Sequence, residues 1–254
     1  MRYWLVMPAA GVGRRFGTSI PKQYAPLHGR TVIEWALAPF LSDPNCAAVV
    51  VALAADDPYW GDVAERLAKL PGRKPELICA EGGAERSHTV RNGLAALGAR
   101  AASEDWVLVH DAARPCLSPE DLQQLLEHLG KHPIGGLLAS PAADTLKRAG
   151  ADSGAVASDS PEVQQTVDRA HLWRALTPQM FRYGMLCDAL DRALATNRLP
   201  TDEAQALEWV GERPVLVQGS AANIKITSAD DLVVAAALLS ARESAPVERT
   251  SLPE

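Results

Sequence analysis

Aromatic residues, cysteines and long apolar runs are all scarce in this chain of 254 residues. Phe, Trp and Tyr make up 5% of it, so the core must be built largely from Ala, Val and Leu. The four cysteines, Cys46, Cys79, Cys116 and Cys187, are far apart and form no Cys-x-x-Cys pair, which favours reduced structural thiols over a disulfide or zinc framework. No run of about 18 apolar residues is present, which argues against a transmembrane helix.

Neither a signal peptide nor an excess of basic charge is indicated by the sequence. Residues 1–8 are too short an apolar stretch and end too abruptly at Pro8 for a secretory leader, so we expect a cytoplasmic protein with no membrane partner. The 25 basic and 31 acidic side chains give a net charge of −6, which excludes a polybasic nucleic-acid-binding surface but leaves room for a local positive pocket. A hydrophobic content of 47% is typical of a folded globular domain.

Short strand-like runs alternate with helical patterns through the first half of the chain, which is typical of βαβ units and a mostly parallel sheet. Strands are predicted at residues 3–8, 47–53, 76–80 and 106–110, and helices at about 31–41, 58–70, 87–98 and from Pro119 onward. We therefore expect an α/β fold with a Rossmann-like, mostly parallel sheet and flanking helices, in a single domain over residues 1–244. Residues 245–254 are polar with two prolines and are expected to be a disordered tail.

The regular alternation breaks after Ile134. Residues 141–170 contain two strand-like runs, 144–148 and 163–167, around a stretch rich in small residues, which predicts a β-arm that projects from the body. Because such an arm has little core of its own, we expect it to pack on a second copy of the chain, giving a homodimer. Helices are then predicted near 183–195, 201–210 and 228–242, with strands at 215–217 and 223–226.

A glycine-rich loop follows the first predicted strand. Gly11, Gly13 and Gly17 let backbone N–H groups approach an anion without a Cβ in the way, which predicts a nucleotide site. The dinucleotide fingerprint does not fit, because Gly17 is one position late and the next helix begins only near Thr31, so an NAD-linked dehydrogenase is disfavoured. The Walker lysine pattern is absent from this loop as well.

The same loop carries an unusual concentration of positive charge. Arg14, Arg15 and Lys22 are more cations than the ground-state binding of a diphosphate needs. Such charge suits a site that stabilises the transition state of phosphoryl transfer.

The loop and seven further motifs, spread over about residues 5–232, resemble those of the 2-C-methyl-D-erythritol 4-phosphate cytidylyltransferase family, which has the nucleotide-diphospho-sugar transferase type of fold. The motifs are, in order, Ala9–Phe16 with Pro21–Tyr24, Gly82-Gly83 with Glu85-Arg86 and Thr89-Val90, His110–Pro115, Asp144–Lys147, Thr166–Arg169, Leu176–Gln179, Thr201–Ala204 and Asn223–Thr227. The resemblance implies transfer of CMP from CTP to 2-C-methyl-D-erythritol 4-phosphate (methylerythritol phosphate), with release of pyrophosphate, in non-mevalonate isoprenoid biosynthesis.

The resemblance also implies roles for individual residues. The catalytic residues would be Arg15, Lys22, Arg169 and Lys225. The nucleotide would be bound by Pro8, Ala9, Ala10, Gly11, Gly13, Gly83, Ala84, Thr89, Asp111 and Ala112, with the base read largely through backbone groups. The second substrate would be bound by Arg114, Thr145, Arg169 and Thr177.

Three of these side chains also suggest their chemistry directly. Asp111 ends a buried strand, where ligands of open α/β sheets collect, and its carboxylate suits Mg²⁺ or another divalent cation. Arg169 can form two parallel hydrogen bonds to a phosphate. Lys225 is expected on a strand, where burying its ammonium group without a partner costs free energy, so we interpret it as a phosphate ligand rather than a core residue. His110, next to Asp111, should face the other side of its strand as a core residue.

Residues 145 and 169 lie at the two roots of the predicted arm. For this family, that position implies that each active site borrows residues from the other subunit.

Two other functions stay open at this point. One is cytidylyl transfer to a different alditol phosphate, such as ribitol 5-phosphate, by the same loop. The other is a catalytically silent nucleotide-binding protein, which the joint presence of Arg15, Lys22, Asp111 and Lys225 disfavours, because binding alone would tolerate the loss of some of them.

Overall fold

The structure is a computed structural model that describes residues 1–11, 20–72, 74–150 and 161–244. Its strands, in chain order, are β1 (Tyr3–Pro8), β2 (Pro26–Leu27), β3 (Arg30–Thr31), β4 (Cys46–Leu53), β5 (Glu76–Glu81), β6 (Trp106–Val109), β7 (Gly135–Pro141), β8 (Leu146–Ala149), β9 (Val163–Val167), β10 (Trp173–Arg182) and β11 (Val215–Gln218). Its α-helices are α1 (Val32–Ser42), α2 (Trp60–Ala68), α3 (Arg86–Leu97), α4 (Pro119–Leu129), α5 (Tyr183–Ala195), α6 (Glu203–Trp209) and α7 (Ala229–Ser244).

A seven-stranded sheet forms the centre of the molecule, in the order β11-β7-β10-β6-β1-β4-β5. The pairs β6-β1, β1-β4, β4-β5 and β11-β7 are parallel. Strand β10 runs against its neighbours, pairing antiparallel with both β6 and β7. The predicted α/β fold with a mostly parallel sheet is therefore confirmed.

Alternate side chains of the sheet face two separate helical layers. Along β1, Tyr3, Leu5 and Met7 pack with residues of α1, α2 and α4, whereas Trp4 and Val6 pack with residues of α3, α5 and α6. Because both faces are covered, the central strands are apolar throughout rather than alternating. The buried core is built mainly from Ala, Val and Leu, as the low aromatic content requires.

Two helices begin where capping residues predict. The Glu34 carboxylate accepts hydrogen bonds from the backbone N–H and the hydroxyl of Thr31, at 2.8 and 2.6 Å, at the start of α1. Ser118 Oγ accepts from the backbone N–H of Asp121 at 3.0 Å, at the start of α4. These bonds satisfy N–H groups that a helix leaves unpaired in its first turn.

The predicted arm is present as an antiparallel hairpin of β8 and β9, whose residues are almost all exposed. It stands apart from the central sheet and pairs with none of its strands. Its part in dimerisation stays a prediction, and the tip, 151–160, and the expected tail, 245–254, lie outside the described residues.

The strand predicted at 223–226 is wrong, and with it the placement of Lys225 on a strand. This segment is a loop, because its backbone N–H groups bond to the residues just before it and to the loop after β6 rather than to a neighbouring strand. Asn223 N donates to Ser220 O at 3.1 Å, and Ile226 N donates to Ala113 O at 2.8 Å.

Two strands of the central sheet, β7 and β10, have no counterpart in the sequence-based prediction. The first begins with Gly135 and Gly136, which lie so close to the backbones of β10 and β11 that no Cβ would fit. The second contains Pro178, and its register against β7 shifts between Ala175 and Gln179. Glycine pairs and an internal proline weaken the strand pattern that a sequence shows.

Candidate functional site

A cleft of about 470 Å³ lies beyond the carboxyl ends of β1, β5 and β6. Ligands of open α/β sheets collect at this edge. The cleft is lined by Pro8, Ala9, Ala10, Gly11, Lys22, Gln23, Gly83, Ala84, Glu85, Arg86, Thr89, Asp111, Ala112, Ala113 and Lys225. Five parts of the chain thus meet in one place, at residues 8–11, 22–23, 83–89, 111–113 and 225.

Nearly all the predicted nucleotide-binding residues line this cleft. They are Pro8, Ala9, Ala10, Gly11, Gly83, Ala84, Thr89, Asp111 and Ala112. Gly13 and Arg15 lie outside the described residues. Of the predicted catalytic residues, Lys22 and Lys225 line the cleft. That these residues bind a nucleotide stays a prediction.

Paired glycines bring the end of β5 against the first loop. A Cβ on Gly82 would clash with Cβ of Ala10, and one on Gly83 would clash with His88. The hydroxyl of Thr89 accepts a hydrogen bond from Gly83 N at 3.0 Å and so fixes this turn. Glycines are needed here because a side chain on Gly82 would collide with the first loop and one on Gly83 with helix α3.

Gln23 holds the loop after β1 through hydrogen bonds, a role that the sequence analysis missed. Its buried Nε2 donates to the carbonyl oxygens of Ala9 and Gly11, at 2.8 and 3.1 Å. With both carbonyls turned towards Gln23, the segment after β1 is held in one conformation at the floor of the cleft. One signal in the sequence could have pointed to this role: Gln23 directly follows Lys22 in the motif Pro21–Tyr24.

Asp111, directly after β6, is surrounded by three cations. Arg86 donates to Asp111 Oδ1 from Nε and Nη2, at 3.2 and 3.1 Å. Lys225 Nζ lies 2.9 Å and Arg114 Nε 3.4 Å from Oδ2. Burial alone would raise the pKa of Asp111, but Arg86, Lys225 and Arg114 outweigh it and hold the pKa well below its ordinary value. The carboxylate is therefore ionised at neutral pH.

A second carboxylate, Glu203, binds the far side of Arg86, and the sequence analysis gave a role to neither residue. Arg86 Nη1 and Nη2 donate to Glu203 Oε1 and Oε2, at 2.6 and 3.2 Å. Burial raises the pKa of Glu203, although Arg86 opposes the rise. Both residues occur in the motifs quoted above, but a motif alone does not show that they meet.

The charged side chains that line the cleft are Lys22, Arg86 and Lys225 against Glu85 and Asp111, so its described lining carries one net positive charge. A positive cleft attracts a polyphosphate, and it does so in a protein whose overall charge is negative.

Lys22 and the loop that carries Lys225 are joined directly. Lys22 Nζ donates to the carbonyl oxygen of Ile226 at 2.9 Å. The loop is held at its two ends as well: Asp121 accepts two bonds from Ser220 N, and Asp231 accepts from Thr227 N at 2.7 Å.

His110 is a core residue, as predicted. It is fully buried, packs on Phe40, and burial lowers its pKa to about 4, so it is neutral at pH 7. Its Nε2 lies 3.2 Å from Arg114 O, which can only accept, so Nε2 carries the proton and Nδ1 accepts from the Thr177 hydroxyl at 2.9 Å. Thr177 Oγ1 in turn accepts from Asp111 N at 3.1 Å. This chain of bonds fixes the backbone at Asp111.

Two residues predicted to bind the second substrate, Arg114 and Thr177, are buried among protein partners. Arg114 Nη1 donates to Asn223 O at 2.8 Å, and Asn223 Nδ2 donates to Thr177 O at 2.7 Å. Neither Arg114 nor Thr177 lines the cleft. Their positions favour a part in holding Asp111 and the Lys225 loop, and their contact with a substrate stays a prediction.

The other two, Thr145 and Arg169, lie exposed at the roots of the arm. Neither lines the cleft formed within the chain. Within the described ranges, no carboxylate lies within 4.0 Å of the Arg169 guanidinium, so a salt bridge to Asp144 or Asp168 is not formed.

The carboxylate of Asp111 fits a divalent cation that is held mainly by the substrate. Across the part of the chain that the structure describes, no group of three or more His, Cys, Asp or Glu side chains is placed to bind a metal by itself. Mg²⁺ often binds one carboxylate together with substrate phosphates. Asp111 is ionised, and its Oδ2 partner Lys225 has a side chain that is 38% exposed and can turn to a phosphate.

Helices long and apolar enough to cross a bilayer are absent from the described residues.

Comparison with known proteins gives a consistent result over almost the whole chain. Residues 3–241 match the family model for 2-C-methyl-D-erythritol 4-phosphate cytidylyltransferase. The enzyme of that name from Ectopseudomonas mendocina is 52% identical over 91% of this chain and 93% of its own. The one from Vibrio vulnificus is 46% identical over 92% of this chain and 93% of its own.

Solved structures agree with the sequence relatives. The crystal structure of a 4-diphosphocytidyl-2C-methyl-D-erythritol synthase superimposes with a TM-score of 0.77 at 38% identity, covering 94% of this chain and 98% of the other. The 2-C-methyl-D-erythritol 4-phosphate cytidylyltransferase from Thermus thermophilus gives a TM-score of 0.72 at 29% identity, covering 94% of this chain and 100% of the other.

Proposed function

The chain belongs to the 2-C-methyl-D-erythritol 4-phosphate cytidylyltransferase family, and from this premise we propose how its residues transfer CMP from CTP to methylerythritol phosphate in isoprenoid biosynthesis. A phosphate oxygen of methylerythritol phosphate attacks the α-phosphorus of CTP. The bond from that phosphorus to the β-phosphate oxygen breaks, and pyrophosphate leaves with the electron pair. The products are 4-diphosphocytidyl-2-C-methyl-D-erythritol and pyrophosphate.

The reaction needs charge stabilisation more than proton transfer. The second pKa of a phosphate monoester is about 6, so the attacking oxygen is already largely ionised at neutral pH and needs no general base. The barrier arises because one anion must approach a polyanion while the α-phosphate gathers negative charge. Cations held in fixed positions lower that barrier.

Lys22 and Lys225 are the cations that we assign to this task. Both line the cleft, and the bond from Lys22 to Ile226 O keeps the two segments together. Lys225 pairs with Asp111 in the structure, and its 38% exposed side chain can turn to the triphosphate. We assign Arg15 to the same triphosphate from its place in the loop motif; it lies outside the described residues.

Asp111 is assigned to the ribose and to the divalent cation. When bound, Mg²⁺ would neutralise part of the charge on the phosphates. Asp111 can offer a lone pair of Oδ2 to it when Lys225 turns away, while Arg86 stays on Oδ1 and Arg114 stays 3.4 Å from Oδ2.

The base would be held by the backbone groups of the two loops that face one another across the cleft. Ala10 and Gly83, with Ala84 and Thr89, line this part. Preference for CTP over UTP rests on the family and not on any side chain in this region.

Methylerythritol phosphate would bind between this cleft and the arm of a second copy. Thr145 and Arg169 are exposed and stand apart from the cleft of their own chain, which supports a site completed by the partner's arm. The homodimer is therefore part of the proposal.

The cytoplasmic location expected from the sequence also stays a prediction.

The single observation that carries the proposal is the meeting of Lys22, Lys225 and Asp111 in one cleft at the carboxyl edge of the sheet. The direct test is pyrophosphate release from CTP and Mg²⁺, measured with and without methylerythritol phosphate. We expect release only when both substrates are present. Equal rates with ribitol 5-phosphate would favour the alternative alditol phosphate, equal rates with UTP would remove the base preference, and CTP binding without release would indicate a silent binding protein.

A further inference from the structure

Glu203 does not line the cleft, but it binds Arg86, which does. Its side chain is 1% exposed, and Arg86, which it binds through two hydrogen bonds, lines the cleft with 27% exposure. Arg86 then binds Asp111 on its other edge. A chain of contacts therefore runs from the buried start of α6 to the carboxylate that we assign to the ribose and the metal.

These two carboxylates accept four hydrogen bonds from the Arg86 guanidinium. Nη1 donates to Glu203, Nε donates to Asp111, and Nη2 is shared between them. Burial alone would lower the pKa of Arg86, but the two carboxylates outweigh it and hold the pKa above its ordinary value. Swinging the guanidinium out to a phosphate of the nucleotide would break these hydrogen bonds.

The start of α6 is itself fixed to the central sheet. Gln179 of β10 accepts a bond from Ala204 N at 2.8 Å and donates to Asp202 Oδ2 at 3.0 Å. Asp202 also caps the helix by accepting from Gln205 N at 2.9 Å. Glu203 lies between Asp202 and Ala204, so its backbone is anchored on both sides.

We propose that Glu203 is a positioning residue for cytidylyl transfer, which acts by holding Arg86 so that Arg86 fixes the plane of the Asp111 carboxylate. With Oδ1 tied to Arg86, Oδ2 faces Lys225 and the cleft in one orientation. The proposal rests on the proposed function and adds to it a residue that touches neither substrate. Buried ion pairs contribute little to stability on balance, because desolvation offsets their attraction. A role in orientation accounts for a glutamate at this depth better than stability does.

The test compares four proteins: the wild type, Glu203→Gln, Arg86→Gln and the double variant. Pyrophosphate release is measured over a range of CTP and methylerythritol phosphate concentrations. Glu34→Gln is the matched control, because Glu34 is also a buried carboxylate with a bidentate arginine, Arg66, and lies outside the cleft. Glutamine can still serve in the capping box at that position.

We expect Glu203→Gln to lower kcat by about 10-fold or more while KM for CTP changes less than about twofold, since misplacement of a positioning group costs rate more than binding. Arg86→Gln should lose at least as much. The double variant should be no slower than Arg86→Gln, because Glu203 acts only through Arg86. Glu34→Gln should lose stability and keep wild-type kcat.

Three results would overturn the inference. They are a Glu203→Gln protein with wild-type kcat, a double variant in which the two losses multiply, or a Glu34→Gln protein that loses kcat as Glu203→Gln does. If Glu203→Gln does not fold, the double variant, which leaves neither charge unpaired, carries the test, and wild-type kcat there would overturn the inference. If the wild type releases no pyrophosphate, the proposed function fails instead, so the two failures are distinguishable.

Discussion

Lys22 Nζ donates a hydrogen bond of 2.9 Å to the carbonyl oxygen of Ile226, although the two residues are 204 positions apart in the chain. The bond joins the segment after the glycine-rich loop to the loop that carries Lys225. A triphosphate that binds in the cleft would therefore meet both ammonium groups.

Lys22→Ala should lower turnover by roughly 10²- to 10³-fold at saturating CTP, by analogy with the loss of one preorganised donor to a transition-state oxyanion. The measurement is the steady-state rate of pyrophosphate release. Lys69→Ala is the control, because Lys69 is an exposed lysine that pairs with Glu65 on the surface. A Lys22→Ala enzyme with wild-type turnover would remove Lys22 from the mechanism.

Asp111→Asn should destabilise the protein by about 3 kcal/mol, because it leaves Arg86, Arg114 and Lys225 facing an uncharged amide. It should also raise the Mg²⁺ concentration that gives half-maximal activity. Urea unfolding and a Mg²⁺ titration measure the two effects. Asp191→Asn, which removes an exposed partner of Arg91, should change neither by much. An unchanged Mg²⁺ dependence in Asp111→Asn would contradict the metal assignment.

Arg169→Ala should abolish most activity, and mixing should restore part of it. If each site combines Lys22 of one protomer with Arg169 of the other, a Lys22→Ala and Arg169→Ala heterodimer has one intact site. Random pairing of equal amounts then predicts about a quarter of wild-type activity. The rate is measured after the two variants are unfolded and refolded together. No recovery, in a mixture shown to contain heterodimers, would mean that sites are not shared.

Asp231 should stabilise the loop that carries Lys225 at neutral pH, and this stabilisation should be lost in acid. Hydrogen bonds, first of all from the side chain of Thr227, lower the pKa of Asp231 to about 2 from its ordinary 3.8. Because the folded pKa is the lower one, the contribution is complete above pH 4 and is lost as the pH falls towards 2. Asp231→Ala should therefore cost about 1 kcal/mol at pH 7, the usual effect of losing a helix cap, and much less at pH 2.

The check is the free energy of unfolding in urea at several pH values, for wild type and Asp231→Ala. A difference between the two proteins that stays constant from pH 7 to pH 2 would show that the ionised carboxylate is not the group involved. NMR titration of the Asp231 carboxyl measures its pKa directly.

Local patterns in the sequence predict most of the sheet and the first half of the fold. The capping residues Thr31 and Ser118 mark helix starts correctly, because a cap is a contact between near neighbours. The strand predicted at 223–226 fails, since its backbone bonds locally to Ser220 O and, through Ile226 N, to Ala113 O, which is distant in the chain. An alternating apolar pattern cannot show which distant groups its backbone will meet.

The candidate site follows the same rule. Glycine-rich and charged motifs predict which segments line the cleft, including Lys22 and Asp111. The link from Glu203 through Arg86 joins residues 117 positions apart, and only the folded chain shows it. Motifs predict residue types at a site, whereas the pairs among them depend on packing.

The most direct test of the central claim is a crystal structure of the protein with CTP and Mg²⁺. We predict that Lys225 Nζ leaves Asp111 and that both it and Lys22 Nζ lie within about 4 Å of oxygens of the α-phosphate, close enough for strong attraction. A triphosphate bound elsewhere, with Lys225 still on Asp111 and Lys22 still on Ile226 O, would contradict the account.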